Sequence, residues 1–234
     1  MIAVFKRELR SYLTSPVGYV YLFFFSLVTG FIFYSSNITA GSTDTISYFA
    51  WIRYLLIIVI PILAMKLFPE ERKNKTDQIL ITAPISITSM VIGKFLAAYA
   101  MFLIGLVPTF INIIFLATVG YLEIGIVIGN YVGVMFIAAA FLAIAMLMSV
   151  MTESMITAFI MGAFSLAIFA VIDFLSDTLN NTIVTKIVNA ISVTQRYTEF
   201  NQGLFNISTL IYFLSLAVIF LFLTVRVIDK RRWS

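Results

Sequence analysis

Long runs without a charged residue constrain the fold of this chain more than any other feature. The first, residues 17–36, has about the length that a helix needs to cross the hydrocarbon core of a bilayer. Across the chain 62% of the residues are hydrophobic and only 11% are charged, against about 25% charged in a typical soluble domain. A core built from 234 residues could not hide this much apolar surface, so we expect lipid to be the solvent.

The apolar runs predict an all-α membrane protein with six transmembrane helices. Short polar or charged stretches separate the runs, and only Thr152, Glu153 and Ser154 lie between the fourth and the fifth. We expect residues 1–234 to form a single transmembrane domain. The predicted spans are residues 17–36, 48–65, 86–118, 131–151, 155–172 and 208–225.

Residues 1–15 predict an amphipathic helix ahead of the first span. Charged residues fall mostly on one helical face, and apolar residues fall on the other. This pattern is typical of an interfacial helix that lies along the inner leaflet, and Ser15-Pro16 should end it. The apolar face consists of Ile2, Phe5, Leu9, Tyr12 and Leu13.

Residues 67–85, called here the coupling segment, form a charged stretch between two apolar runs. The segment is dense in acids and bases up to Asp77, becomes amphipathic over residues 78–82 and meets Pro84. We expect a short helix outside the hydrocarbon whose apolar residues dock in a groove of a soluble partner, while its charges set the orientation. The alternative is a lipid-facing interfacial linker without a partner. The expected contacts are Ile79, Leu80 and Ile81 for docking and Glu70, Glu71 and Arg72 for orientation.

Residues 173–205 are the longest polar stretch. Within it, five apolar residues recur at helical spacing, which predicts an amphipathic helix dipping into the outer leaflet. These residues are Ile183, Val184, Ile187, Val188 and Ile191.

Lysine and arginine are distributed unevenly between the two sides that six spans define. Twelve of the 15 basic residues fall on one side and only Arg53, Lys186 and Arg196 on the other. Since cytoplasmic loops carry an excess of basic residues, we expect both termini and the coupling segment to be cytoplasmic, and residues 173–205 to lie outside. Arg53, near the outer end of its span, is expected to snorkel toward the surface.

Several classes of function lack the residues that they need. The chain has no cysteine and no histidine, so thiolate and imidazole catalysis and the usual zinc ligands are excluded. Its only Gly-Lys pair, Gly93-Lys94, is followed by Phe95, which does not fit a phosphate-binding loop. We therefore predict no enzyme activity, no metal site and no cofactor site in this chain. The basic residues beside apolar runs suit anionic headgroups rather than nucleic acid.

An intramembrane enzyme is the alternative of another class, but it would need paired acids or a metal cluster at membrane depth, which the spans do not offer. The scarcity of ionisable residues inside the spans also disfavours ion-coupled transport and favours an apolar cargo. A group of methionines around the fourth and fifth spans could in principle bind Cu(I), but flexible packing is the preferred interpretation. These are Met146, Met148, Met151, Met155 and Met161.

Four stretches together resemble the membrane subunit of type-2 ABC transporters, nearest to the short permeases of the gliding-motility and copper-maturation type. Residues 5–16 resemble the first helix of that family, and residues 68–85 its coupling helix. Gly93-Lys-Phe-Leu96 is similar to the start of its third span, and residues 212–233 are similar to its last span and tail. The likeness covers most of the chain.

The resemblance implies an exporter subunit in the inner (cytoplasmic) membrane of a bacterium. It implies two cytosolic ABC ATPase partners, which hold the ATP and Mg²⁺, and a second permease chain, identical or related. The expected cargo is apolar, lipid-like or amphipathic. The alternative is a non-transporting anchor that passes ATPase motion to another membrane or envelope protein. The residues implied in ATPase coupling are Glu70, Glu71, Arg72, Thr76, Ile79, Leu80 and Ile81.

Overall fold

A computed structural model describes residues 1–73, 86–178, 192–204 and 206–232, with the side chains of residues 174–178 and 231–232 left aside. Within these ranges the chain forms α-helices, one π-helical segment at Tyr34–Ile38 and no β-strand. The helices are α1 (Ile2–Thr14), α2 (Pro16–Phe33), α3 (Thr45–Leu67), α4 (Pro69–Lys73), α5 (Ile87–Val119), α6 (Ile124–Val150), α7 (Met155–Thr178), α8 (Val193–Asn201) and α9 (Ile207–Arg232).

Six of the described helices are long and apolar enough to cross a membrane, as a multi-pass membrane protein requires. They are α2, α3, α5, α6, α7 and α9, so the predicted number and order of spans are confirmed for the described residues. Residues 74–85, which include most of the coupling segment, and residues 179–191, which include the predicted outer helix, lie outside the described ranges.

Helix α6 is the centre of the bundle. It packs against α3, α7, α8 and α9, and most of its residues from Gly129 to Val150 are buried. Small side chains allow this close approach: a Cβ atom on Gly133 would lie 2.7 Å from Cε2 of Tyr197, and one on Gly129 would lie 2.5 Å from the carbonyl oxygen of Phe200. Helix α8 therefore rests directly on two glycines of α6, as small residues permit between membrane helices.

Three helix boundaries differ from the prediction. The fourth span begins at Ile124 rather than near residue 131, and Gly129 in the added turns packs against Phe200 of α8. Helix α8 is not predicted: the last apolar residue of the predicted outer helix is Ile191, and α8 begins after it at Val193. Helix α9 continues through the basic tail to Arg232, beyond the predicted end at residue 225.

The predicted break between the first two helices is confirmed, but the predicted apolar face of α1 is partly wrong. Ser15 caps α2 by accepting a hydrogen bond from the Gly18 amide, and Pro16 occupies the first turn. The face of α1 that the protein buries contains Val4, Glu8 and Tyr12. Tyr12 thus faces the bundle and not lipid, because its hydroxyl finds a partner there.

Candidate functional site

Four charged side chains meet where α1, α4 and the start of α5 come together, on both flanks of residues 74–85. We call Arg7, Glu8, Glu71 and Lys94 the four-charge cluster. Lys94 Nζ lies 3.2 Å from Glu8 Oε1 and 2.8 Å from Glu71 Oε2. Arg7 Nη2 pairs with Glu8 Oε1 and lies 2.5 Å from Glu71 Oε1. Two cations and two carboxylates therefore balance each other.

Lys94 is the centre of this cluster and is 0% exposed. Besides its two carboxylate partners it donates to the carbonyl oxygen of Leu67 over 2.7 Å, so all three ammonium protons can be used. An ammonium group buried without partners would cost several kcal/mol. The burial of Lys94 is therefore tolerable only while α1 and α4 keep their carboxylates in place.

Gly93 brings α1 close enough for these contacts. A Cβ atom at this position would lie 3.1 Å from the carbonyl oxygen of Met1 and 3.1 Å from Cβ of Val4. The glycine in front of Lys94 thus lets the first turn of α1 lie on α5, and Glu8 reaches Lys94 one turn further along α1.

Glu8 is ionised in this arrangement. Burial alone would raise the pKa of its carboxyl group, but the charges of Lys94 and Arg7 and their hydrogen bonds lower the pKa below its usual value. Glu8 therefore carries its negative charge at neutral pH and loses it only in acid.

Further hydrogen bonds connect the cluster to the end of α3. Lys66 donates to the carbonyl oxygen of Ser11 over 2.8 Å and lies 3.7 Å from Glu70. The Tyr12 hydroxyl donates to the carbonyl oxygen of Leu63 over 2.6 Å. Helix α1 is thus held by α3, α4 and α5 together.

The turn between α6 and α7 contacts the same end of the bundle. Arg72 Nη1 donates to the carbonyl oxygen of Thr152 over 3.3 Å. One turn earlier, the Ser149 hydroxyl donates to the carbonyl oxygen of Ala64 over 2.7 Å. Helix α4 therefore touches two parts of the bundle, α1 on one side and the α6–α7 turn on the other.

The predicted coupling residues divide into two groups. Glu70, Glu71 and Arg72 lie in α4, and each contacts a residue of its own chain. Their predicted role toward a partner stays a prediction. The other four, Thr76, Ile79, Leu80 and Ile81, lie outside the described residues.

A second polar cluster lies near the other end of α3. Arg53 Nη1 is 3.9 Å from Asp173 Oδ2, and the Thr194 hydroxyl bridges the two by accepting from Arg53 and donating to Asp173 over 2.5 Å. Asp173 also accepts from the Ser192 hydroxyl over 2.6 Å. Arg53 is only 6% exposed, so the expectation that it snorkels toward the surface is wrong. We call these four residues the Arg53 cluster.

Aromatic contacts complete the Arg53 cluster. The guanidinium carbon lies 4.5 Å from the ring centre of Tyr54 and 5.6 Å from that of Tyr197, within the range of cation–π attraction. The Tyr197 hydroxyl donates to Asn130 Oδ1 over 2.8 Å. Helix α8 is thereby attached to α3, α6 and α7.

Sequence reasoning missed the pairing partners in both clusters. The amphipathic pattern leaves Arg7 and Glu8 on the charged face of an interfacial helix, and it predicts no partner for Lys94 or Asp173. The available signal was the presence of Arg53 and Lys94 inside apolar runs, because an ionisable side chain at such depth requires a partner. Nothing in the local pattern indicates that the partner of Lys94 lies 86 residues away.

Among the described residues no group of three or more acidic side chains could hold a metal ion. Both clusters consist of paired charges and hydrogen bonds that join helices remote in sequence. No model of a known protein family matches the chain, and no curated protein matches it.

Proposed function

We propose that this chain is the membrane subunit of an ABC transporter of the type-2 class, and that ATPase motion enters it through residues 67–85. The proposal starts from the resemblance of four sequence stretches to that family. The observation that supports it is the four-charge cluster, which ties together the helices on both sides of the coupling segment.

The contacts suit the transmission of a push or a rotation. Helix α4 lies at the start of the coupling segment, and α5 follows its end, so a displacement of the segment would pull on both helices. Glu71 and Lys94 join these two helices. Through Arg7 and Glu8 the same displacement reaches α1, and through Arg72 it reaches the α6–α7 turn. A rigid linkage of this kind moves helices as units, as gated transport by rigid-body shifts requires.

In this proposal the cluster, both termini and the coupling segment face the cytoplasm, and the Arg53 cluster faces the outside. Two cytosolic ATPases bind and hydrolyse ATP, and a second permease chain completes the pathway. The cargo in this proposal is apolar, lipid-like or amphipathic. The only fully buried cation among the described residues is Lys94, and its neighbours neutralise it, so it does not offer its charge to a cargo.

Co-purification tests the proposal. The chain would be expressed with the ABC ATPase of a neighbouring reading frame, and the ATPase recovered with the tagged permease would be measured. Leu80→Asp should reduce recovery by at least about ten-fold, because a carboxylate buried without a partner costs well over 1.4 kcal/mol.

Tyr121→Asp is the matched control. It introduces the same charge at the turn between α5 and α6, where Tyr121 is 89% exposed, at the end of the bundle remote from the coupling segment. It should leave recovery unchanged. If Leu80→Asp retained full ATPase binding and transport, the coupling-helix assignment would be wrong. Residues 67–85 would then be interpreted as an interfacial linker without a partner.

A further inference from the structure

A groove of about 640 Å³ lies between the start of α5 and the end of α9. Its floor is apolar, and its mouth carries hydroxyl groups and one charge of each sign. The floor is lined by Val91, Ile92, Val218, Leu221, Phe222 and Val225, and the mouth by Ser86, Thr88, Arg226 and Asp229. Such a gradient from apolar to polar along one groove fits an amphipathic molecule.

We propose that this groove is a binding site for one phospholipid of the surrounding bilayer, with an amine-bearing, zwitterionic headgroup. One acyl chain lies on the floor, the phosphate lies at Arg226 and the start of α5, and the ammonium group lies near Asp229. This site is independent of the proposed coupling to an ATPase.

Arg226 is placed to receive the phosphate. Its guanidinium carbon lies 4.9 Å from the ring centre of Phe222, which holds the group at the mouth of the groove. In the described part of the chain no salt bridge engages Arg226. A planar guanidinium can bind phosphate through two parallel hydrogen bonds.

The start of α5 adds to the positive potential at the mouth. This helix has 33 residues, and the Ser86 hydroxyl caps it by accepting from the Ser89 amide. Ser86 and Thr88 both line the groove, so the N-terminus of α5 borders it. The amides at a helix N-terminus and the helix dipole favour an anionic group. Thr88 is exposed at this end of the helix.

Asp229 makes a purely anionic headgroup unsuitable. It follows Arg226 by three residues, so the two side chains share one face of α9. A lipid with both a phosphate and an ammonium group matches this pair, whereas a second negative charge would be repelled by Asp229.

The apolar floor suits an acyl chain, and its opening indicates that the lipid comes from the bilayer. From Val218 to Arg226 the helix rises by about 12 Å, which accommodates a good part of an acyl chain. Val218 is 63% exposed, so the floor opens sideways from the spans. A bilayer lipid can enter this way without crossing water, whereas a soluble phosphate would leave the apolar floor uncovered.

The experiment uses the full chain in vesicles of phosphatidylethanolamine and phosphatidylglycerol. Part of the phosphatidylethanolamine carries a photoreactive diazirine in its acyl chain, and crosslinked residues are mapped by mass spectrometry. For the wild type we expect crosslinks concentrated on the groove floor. Arg226→Gln should lower the yield there about ten-fold, the loss expected for a charge-assisted contact to phosphate.

Two further variants and a control sharpen the test. Val218→Trp should block the floor and abolish the groove crosslink, while its exposed position should preserve the melting temperature. Asp229→Asn should remove the preference for phosphatidylethanolamine over a diazirine-bearing phosphatidylglycerol. Arg10→Gln removes an exposed positive charge from α1 and should leave the groove crosslink unchanged.

Two results would overturn the site. Crosslinks spread evenly over all spans would indicate annular lipid only. Equal groove yields in the wild type, Arg226→Gln and Val218→Trp would show that neither the headgroup contact nor the floor matters. An equal wild-type yield with both lipids would refute the role assigned to Asp229.

Discussion

At the scale of single residues, the described structure keeps charge inside an apolar bundle by pairing it. Lys94 has two carboxylates and a carbonyl oxygen within hydrogen-bond distance, and Arg53 has Asp173 and a bridging hydroxyl group. Such pairs contribute modestly when intact, but the loss of one partner is costly because it leaves a buried charge. The following two predictions depend on this asymmetry.

The first prediction concerns Glu8 and pH. Because its folded pKa is lowered from 4.5, its stabilising contribution is complete above about pH 4.5 and is lost as the pH falls through the lower folded value. The melting temperature of the detergent-solubilised protein should therefore fall as the pH is lowered below about 4.5. Glu8→Gln should cost about 1–3 kcal/mol at neutral pH and weaken the dependence on pH. Glu123→Gln, at an exposed carboxylate, should retain the wild-type slope.

The second prediction concerns the Arg53 cluster. Asp173→Asn leaves the Arg53 guanidinium buried without its counter-charge and should destabilise the protein by about 3–5 kcal/mol. The double variant Arg53→Met/Asp173→Leu should recover part of this loss, because no buried charge is left. Thermal unfolding of Arg53→Met, Asp173→Leu and the double variant gives the coupling energy, and Glu153→Gln at the exposed α6–α7 turn is the neutral control. Additive effects of the two single changes would argue against the pairing.

At the scale of elements, glycine positions decide which helices can touch. Gly129 and Gly133 of α6 provide the surface on which α8 lies, and Gly93 of α5 accommodates α1. Helices α1 and α4 carry the carboxylates Glu8 and Glu71 that pair with Lys94. Helix α8 carries the Thr194 hydroxyl that bridges Arg53 to Asp173 of α7. Close packing at these glycines is therefore a condition for both clusters.

The third prediction compares two glycines of α6. Gly133→Ala places a methyl group 2.7 Å from the Tyr197 ring, so α8 must shift, at a cost of about 1–3 kcal/mol. Gly125→Ala meets nothing within 4 Å and should be neutral or slightly stabilising, since alanine favours helix. Melting temperature and the rate of tryptic cleavage at Arg196 measure the difference. Equal behaviour of the two variants would show that α8 does not depend on this contact.

At the scale of the whole molecule, the helices form a bundle with two polar ends of different construction. The end near α1 and α4 joins four charges in a network, whereas the end near α8 has an ion pair surrounded by hydroxyl and aromatic groups. Both ends bear on α3, which packs against α2, α5, α6 and α7. Helix α3 therefore joins the two ends, through Lys66 at one and Arg53 at the other.

The fourth prediction concerns orientation. The chain has no cysteine, so single cysteines report accessibility without background. Lys75→Cys should resist a membrane-impermeant maleimide in intact cells and react after permeabilisation, since twelve of the 15 basic residues share its side. Glu123→Cys, at the other end of the bundle, should react in intact cells. Labelling of position 75 in intact cells would reverse the assigned topology.

The sequence alone determined the number, order and approximate limits of the spans. This was possible because a membrane helix satisfies its own backbone hydrogen bonds, so local hydrophobicity and length suffice to identify it. The Ser15-Pro16 boundary and the tight turn between α6 and α7 are likewise determined by a few adjacent residues. The predicted start of the fourth span is too late, because Gly129 lies within α6 and packs against Phe200 of α8.

Only the tertiary structure decided where the charges go. The partners of Lys94 are Glu8 and Glu71, on two other helices, and the bridge between Arg53 and Asp173 comes from Thr194 on α8. A side chain's charge is local, but its neutralisation depends on distances between helices remote in sequence, and these distances are set by packing. For this reason Arg53 was expected at the surface and is found buried, and Glu8 falls on the charged face of the predicted interfacial helix and is found pairing with a buried cation.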